Sequence, residues 1–396
     1  MRTCIESSSP STAKIGRPEA NIVALPRLKI VHTESSNGWG GQEMRILVET
    51  RGMIERGHDV EIICCTNSGL HREATRRGIP NVPLAIGKKT LPALRALRNW
   101  LSDHRVDIVN THSSTDSWLA ALALRTLRNP PALVRTRHVS VPISPRATTR
   151  WLYRQAQHII TTGELLRQQV IAIGCDAERV SSVPTGQDTA QFAPGDRARA
   201  RAELGIDLNA KVITIVATLR SWKGHRYLIQ AFEQLARSDA LLLIVGDGPQ
   251  RENLERQARA SICFEQIRFA GNRSNVIPWL HASDIFALPS YANEGVPQAL
   301  VQAMLCGLPI VTTTVGSIPE AVADRHSALV VAPQDANALA IALHELITDQ
   351  ELCAQLGNNA RIDAQKQFNL VSMLNRMEHI FHSASQQCHA SRHAAK

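Results

Sequence analysis

The chain has 396 residues, of which 44% are hydrophobic and 20% charged, with a formal charge of +9. That balance belongs to a soluble globular protein, and the length exceeds what one ordinary core fills, so two domains are expected. No apolar run approaches the roughly 20 residues of a membrane-spanning helix. Aromatics at 4% and the absence of the usual recognition motifs argue against a nucleic-acid partner.

The first residues, MRTCIESSSPSTAKIGRPEA, carry no apolar stretch of the kind a signal peptide has and read as a disordered tail over residues 1–26. A cytoplasmic location is expected on that basis. Leu28–Thr33 reads as a buried strand and Gln42–Arg56 as the helix after it. Val60–Cys65, Val106–Asn110, Ala132–Thr136 and His158–Thr162 continue the strands, and Val183–Pro194 breaks the pattern with prolines and a glycine. A second series follows at Val212–Ala217, Leu241–Val245, Ile267–Ala270, Ile285–Leu288, Ile310–Thr313 and Leu329–Val331. The alternation predicts two α/β domains with doubly wound parallel sheets. Their expected bounds are 27–185 and 186–368, with a helix at 369–383 returning to the first domain and a disordered tail at 384–396. Eight cysteines without a C-x-x-C pair argue against a disulfide framework or a zinc site. The histidines show no metal-ligand spacing.

Ligands of such sheets bind outside the carboxyl ends of the strands. Four segments there carry candidate chemistry. Gly38-Trp39-Gly40-Gly41 lacks the dinucleotide spacing and fits either a tight turn or a phosphate approach. Arg220 and Lys223 sit in Thr218–Gly224, where two cations either neutralise a diphosphate without a metal or are solvated surface charges. Glu294 precedes Gly295-Val296-Pro297, and Pro297 suits a helix's first turn. A carboxylate there is a simple helix partner or a ligand group. Glu294 and Gln302, if both helical, are separated by about 12 Å of rise and about 80° of rotation. His112 follows a strand, where histidine serves hydroxyls or phosphates but is more often structural.

The stretch EGVPQALVQAMLCGLPIVTTTVGSIPE (294–320), with GDGP (246–249), SDIFALPS (283–290) and VPTGQDTAQFAP (183–194), resembles the family 4 retaining glycosyltransferases. That resemblance implies a GT-B fold, two Rossmann-like domains facing across a cleft, and transfer of a sugar from a nucleotide-diphosphate donor. It implies that Lys223 contacts the donor diphosphate and that Glu294 is the first glutamate of the E-x7-E pattern, near the transferred sugar. The backbone of Gly295, Val296 and Pro297 would lie by sugar and phosphates, Gly40 and Gly41 in the closing loop, and His112 by the reacting sugar. Two residues depart from the pattern. Gln302 stands where the second glutamate is expected, and Thr218 replaces an arginine, whose place Arg220 two positions on takes.

The resemblance implies a glycan or glycolipid acceptor, as in lipopolysaccharide assembly, no cofactor beyond the donor substrate, and no metal. Arg146, Arg150 and Arg154 at i, i+4 and i+8, and the basic stretch Lys88–Arg105, fit an anionic membrane surface or an ordinary solvated helix face. Two other readings remain open from sequence: a GT-B sugar-nucleotide epimerase, and a catalytically degenerate binding protein.

Overall fold

The computed structural model describes residues 25–138 and 141–394. The expected leading tail lies almost wholly outside them. The first domain holds a parallel sheet of β1 (Lys29–Glu34), β2 (Asp59–Cys64), β3 (Asn81–Pro83), β4 (Ile108–Thr111), β5 (Ala132–Arg137), β6 (His158–Thr161) and β7 (Val180–Ser182). Its strand order is β3-β2-β1-β4-β5-β6-β7. The second holds β8 (Lys211–Val216), β9 (Ala240–Val245), β10 (Ile267–Gly271), β11 (Ile285–Leu288), β12 (Ile310–Thr313) and β13 (Leu329–Val331), in the order β10-β9-β8-β11-β12-β13. Each order reverses direction once, between β1 and β4 and between β8 and β11. A crevice opens at such a switch point beyond the strand ends.

The runs of Val and Ile form these strands because both faces of a parallel sheet are covered. In the first domain Val31, Ile63 and Val109 pack beneath the helices Leu91–Asp103, Ser114–Leu124 and Ala147–Arg154. On the other face Ile30, Val60, Ile108 and Val134 meet Met53 of the helix Gly41–Glu55. Met377 and Phe381 of the last helix, Leu370–Ala394, fill the same face. The chain's end thus completes the core of its beginning. Truncating the fully buried Phe381 to Ala would cost about 3–5 kcal/mol.

That last helix passes the expected end at residue 383. Phe381, Ala384 and Cys388 are all buried at helical spacing, so the segment read as a tail is an amphipathic helix. The two crossings between domains lie side by side. Gln187 N–H donates to the Phe368 carbonyl at 2.8 Å, and Leu370 N–H donates to the Gln187 carbonyl at 3.0 Å. Among the described residues no helix is long and apolar enough to cross a membrane.

Candidate active site

A cavity of about 1900 Å³ lies between the two sheets at their carboxyl ends. Gly40, Gly41, His112, Lys223, Glu294, Gly295, Val296, Pro297 and Gln302 all line it. Arg220 does not. It is exposed, with its guanidinium 5.6 Å from the Trp222 ring centre.

Lys223 ends a single helical turn, Ser221–Lys223, after β8. Gly224 then adopts φ +77°, and a Cβ there would lie 1.9 Å from the Pro289 carbonyl oxygen. Only glycine lets the turn press on the end of β11. The approach brings Lys223 Nζ to both carboxylate oxygens of Glu294, at 2.7 and 2.9 Å. Ser290 Oγ donates to the same carboxylate at 2.6 Å. Glu294 is buried, so the ammonium compensates its charge.

The helix that follows spans Gln298–Leu305, with Pro297 at its N-cap. Glu294 therefore stands in the turn before the helix, and the rise-and-rotation relation to Gln302 does not apply. Gln302 is buried, and its amide donates to Gln187 Oε1 at 3.0 Å. Gln302 thus ties the helix to the crossing segment between domains. The helix's first turn, at Gln298 and Ala299, lines the cavity, and a negative ligand is favoured beside its free N–H groups.

Contacts between domains frame this mouth. Gln298 Nε2 donates to the Gly41 carbonyl. Glu320 accepts the N–H groups of Glu164 (2.5 Å) and Leu165 (2.9 Å), capping a first-domain helix, Glu164–Ala172, that has no side-chain cap of its own. Gly295 packs against Thr162 and the His138 carbonyl.

His112 is positioned by Asp116, whose carboxylate accepts the N–H groups of His112 and Ser113, each at 2.9 Å, and the Thr33 hydroxyl at 2.8 Å. Both ring nitrogens of His112 are already occupied: Nε2 lies 2.9 Å from His32 Nδ1 and Nδ1 lies 2.8 Å from His138 Nε2. The half-buried His138, directly after β5, also lines the cavity. Sequence reading missed it. Its signal was the run Arg135-Thr136-Arg137-His138, which overlaps and follows the end of the expected strand Ala132–Thr136. Asn272 and Arg273, after β10, line the second domain's side of the cavity and were missed as well.

Burial raises the Glu34 carboxyl to about 8, with Asp116 adding to the effect. Burial lowers His32 to about 3 and holds His112 and His138 well below the usual imidazole range. The histidines of this wall are neutral at neutral pH.

One group with metal-ligating atoms comes together away from the donor side: His58, Glu378 and His382, within 4.8 Å of one another. The sequence reading saw no such spacing, because His58 comes from a distant turn. The Leu28 N–H donates to His58 Nδ1 at 3.2 Å, so Nε2 carries the proton that it gives to Glu378 at 3.0 Å. Glu378 also pairs with Arg56. His58 and Glu378 are spent on hydrogen bonds that bind the last helix to the first domain, whereas the buried His382 Nε2 has no hydrogen-bond partner among the described residues.

Residues 39–191 match the family model Glycosyltransferase Family 4, and residues 196–363 match Glycosyl transferases group 1. The chain belongs to the family 4 type of glycosyltransferases. A curated relative, D-inositol 3-phosphate glycosyltransferase of Corynebacterium efficiens, is 30% identical over 57% of this chain and 56% of its own. The chain thus spans about half the length of that relative. The enzyme of the same name from Mycolicibacterium vanbaalenii is 28% identical over 83% of each chain. The crystal structure of Anabaena HepE in complex with UDP and glucose superposes with a TM-score of 0.80, at 21% identity, over 90% of this chain and all of that one. The family 4 glycosyltransferase therefore has the GT-B fold, with its cleft between the domains.

Proposed function

We propose that this glycosyltransferase moves a hexosyl group, with retention of configuration, from a nucleotide-diphosphate sugar to a hydroxyl of a lipid-linked or cell-envelope glycan. The observation that carries the donor side is the buried Lys223–Glu294 pair at the foot of a helix N-terminus, within the interdomain cavity. The donor diphosphate takes the ammonium and the free N–H groups of the helix start. As the glycosidic bond breaks, negative charge grows on the leaving phosphate, and preorganised donors in a closed cleft stabilise it. Glu294, held by Ser290, orients the sugar hydroxyls. The acceptor attacks from the face of the leaving group, whose phosphate oxygen takes the acceptor's proton. Arg220, exposed as it is here, reaches the diphosphate only if its loop swings inward, and Lys223 carries the role without it.

The acceptor side rests on family likeness. The relatives quoted above carry the name D-inositol 3-phosphate glycosyltransferase, whereas the resemblance in sequence points to envelope glycans. A peripheral position at an anionic membrane fits the basic outer face of the helix Ala147–Arg154. There Arg146, Arg150 and Arg154 are exposed while Leu152 and Tyr153 are buried. Its Trp151 stacks on Trp118 at 5.4 Å, so that aromatic is used in packing and the arginines are left to meet lipid headgroups. Co-sedimentation with anionic vesicles at low salt is expected; recovery of all protein in the supernatant would end this part.

The test of the donor reading is a thermal-shift screen across nucleoside diphosphates and their sugars. A ligand at a hundred times its Kd stabilises by about 2.7 kcal/mol. A selective shift is expected, followed by sugar transfer whose anomeric configuration is read by NMR. Inversion of configuration would remove the same-face mechanism, and no shift with any nucleotide would remove the donor site.

A further inference from the structure

Three histidines, one within β1 and one directly after each of β4 and β5, form one line from the core to the cavity. The sheet order β1-β4-β5 makes them neighbours although they are 80 and 26 residues apart. His32 lies on β1 opposite Asn110 of β4. His112 follows β4 and His138 follows β5. Successive rings are 5.1 Å apart between centres in both steps.

A neutral imidazole has one N–H and one lone pair, so each shared contact needs a donor on one side only. The far end of the line fixes the direction. Asn110 Nδ2 stands 3.4 Å from His32 Nδ1 and 3.3 Å from Glu49 Oε1, while Asn110 Oδ1 accepts the Thr136 hydroxyl at 2.9 Å. The amide nitrogen only grazes His32 Nδ1, whose single lone pair is free for the shorter contact to His112 Nε2, and the Glu49 oxygen facing His32 Nε2 favours a proton on that nitrogen and a lone pair at Nδ1. The His32 proton is then on Nε2, 3.9 Å from Glu49 Oε1 and without another partner. His112 must donate from Nε2 to His32 and so accepts at Nδ1. His138 must donate from Nε2 to His112. Its Nδ1 is left as a lone pair.

We propose that Glu49, Asn110, His32 and His112 are positioning residues that lock His138 in the Nε2–H tautomer, so that it meets the substrate only as a hydrogen-bond acceptor for a hydroxyl. The inference rests on the transfer reading for the identity of the substrate, but not for the tautomer. The groups facing the line are few. Arg45 and Glu49 come from the helix Gly41–Glu55, with Arg45 Nε 3.5 Å from Glu49. Arg376 of the last helix acts on Arg45, and Asp116 holds the His112 backbone. Phe381 covers His32 edge-on at 6.3 Å. The burial that keeps all three imidazoles neutral is what makes the one-proton count hold. An acceptor-only nitrogen selects a donating sugar hydroxyl and repels phosphate oxygens, which separates the sugar end of the cavity from the cationic end at Lys223.

The test is two-bond nitrogen–proton NMR of the full chain with labelled histidine at pH 7, without substrate. His138 is expected to carry its proton on Nε2. A spectrum with His138 protonated on Nδ1, or on both nitrogens, overturns the proposal. Asn110→Asp combined with Glu49→Gln, which keeps a single carboxylate beside the line, supplies the second arm. A carboxylate beside His32 Nδ1 demands a proton there, reverses every donor in the line and moves the His138 proton to Nδ1. Release of nucleoside diphosphate from the screened donor should then fall about tenfold, the worth of one hydrogen bond. A variant that folds with the His138 tautomer unchanged sinks the relay; if it does not fold, the wild-type spectrum still decides. The predicted tautomer in a protein that turns over no donor would count against the transfer reading alone.

Discussion

Replacing Lys223 by Ala should separate the two tasks of the Lys223–Glu294 pair. The side chains are 18% and 5% exposed, so the contact is nearly dry. Removing the ammonium leaves a buried carboxylate with the Ser290 hydroxyl as its one remaining side-chain partner. The loss of a charge-assisted bond in such a place is about 1.5–3 kcal/mol. For a domain of this size that lowers the Tm by about 2–4 °C per kcal/mol. Donor turnover should fall further, by about 10²–10³-fold, because a preorganised cation on the leaving group is lost. Adding Glu294→Gln removes the uncompensated charge and keeps the Ser290 bond, so calorimetry should show most of the stability regained. Release of nucleoside diphosphate should stay low. If turnover returned together with stability, the pair would be a structural brace and the diphosphate role would be refuted.

Glu320→Gln weakens the cap that the second domain places on the helix Glu164–Ala172; about 1 kcal/mol is at stake, and small-angle scattering should show a more open particle with a raised donor KM. An unchanged scattering profile and KM would mean that this contact does not hold the domains together. Glu34 is a carboxylate whose folded value, about 8, lies above its ordinary 4.5. Its contribution is therefore full below about pH 4.5 and is lost as pH rises through about 8. The Tm should decline across that window, and Glu34→Gln should flatten the decline; equal slopes in the two proteins would contradict the assignment. Turnover should survive a metal chelator, since Lys223 and a helix N-terminus supply the positive charge; complete loss with EDTA, restored by a divalent ion, would overturn that expectation.

The strands nearest the switch points were legible in the sequence because burial on both faces demands continuous Val and Ile. β3 and β7 were not: each has three residues, one at either edge of the sheet, and Asn81-Val82-Pro83 and Val180-Ser181-Ser182 carry no such run. The last helix was cut short because its buried positions past Phe381 are His382, Ala384, Ser385 and Cys388, polar or small residues that carry no apolar pattern. On the second domain's side, Lys223, Glu294 and the turn to Pro297 lie within short segments of known pattern, and the fold brings them into one cavity. Arg220 was drawn in by its charge and by its nearness to the arginine the family pattern expects at Thr218, and nothing in sequence says which way an exposed arginine turns. The histidine line was invisible for a different reason. Its members share no local spacing, and only the order of β1, β4 and β5 makes them touch. The resemblance put His112 by the reacting sugar; it lines the cavity together with His138, and both of its ring nitrogens lie within hydrogen-bond distance of His32 and His138.

The most direct measurement is a crystal structure of the protein with the nucleotide-diphosphate sugar that the thermal screen selects. The diphosphate should lie between Lys223 Nζ and the first N–H groups of the helix Gln298–Leu305, within hydrogen-bond reach of both, with Gly40 and Gly41 covering it. A donor bound elsewhere in the cavity, with the Lys223–Glu294 pair intact and untouched, would contradict the account.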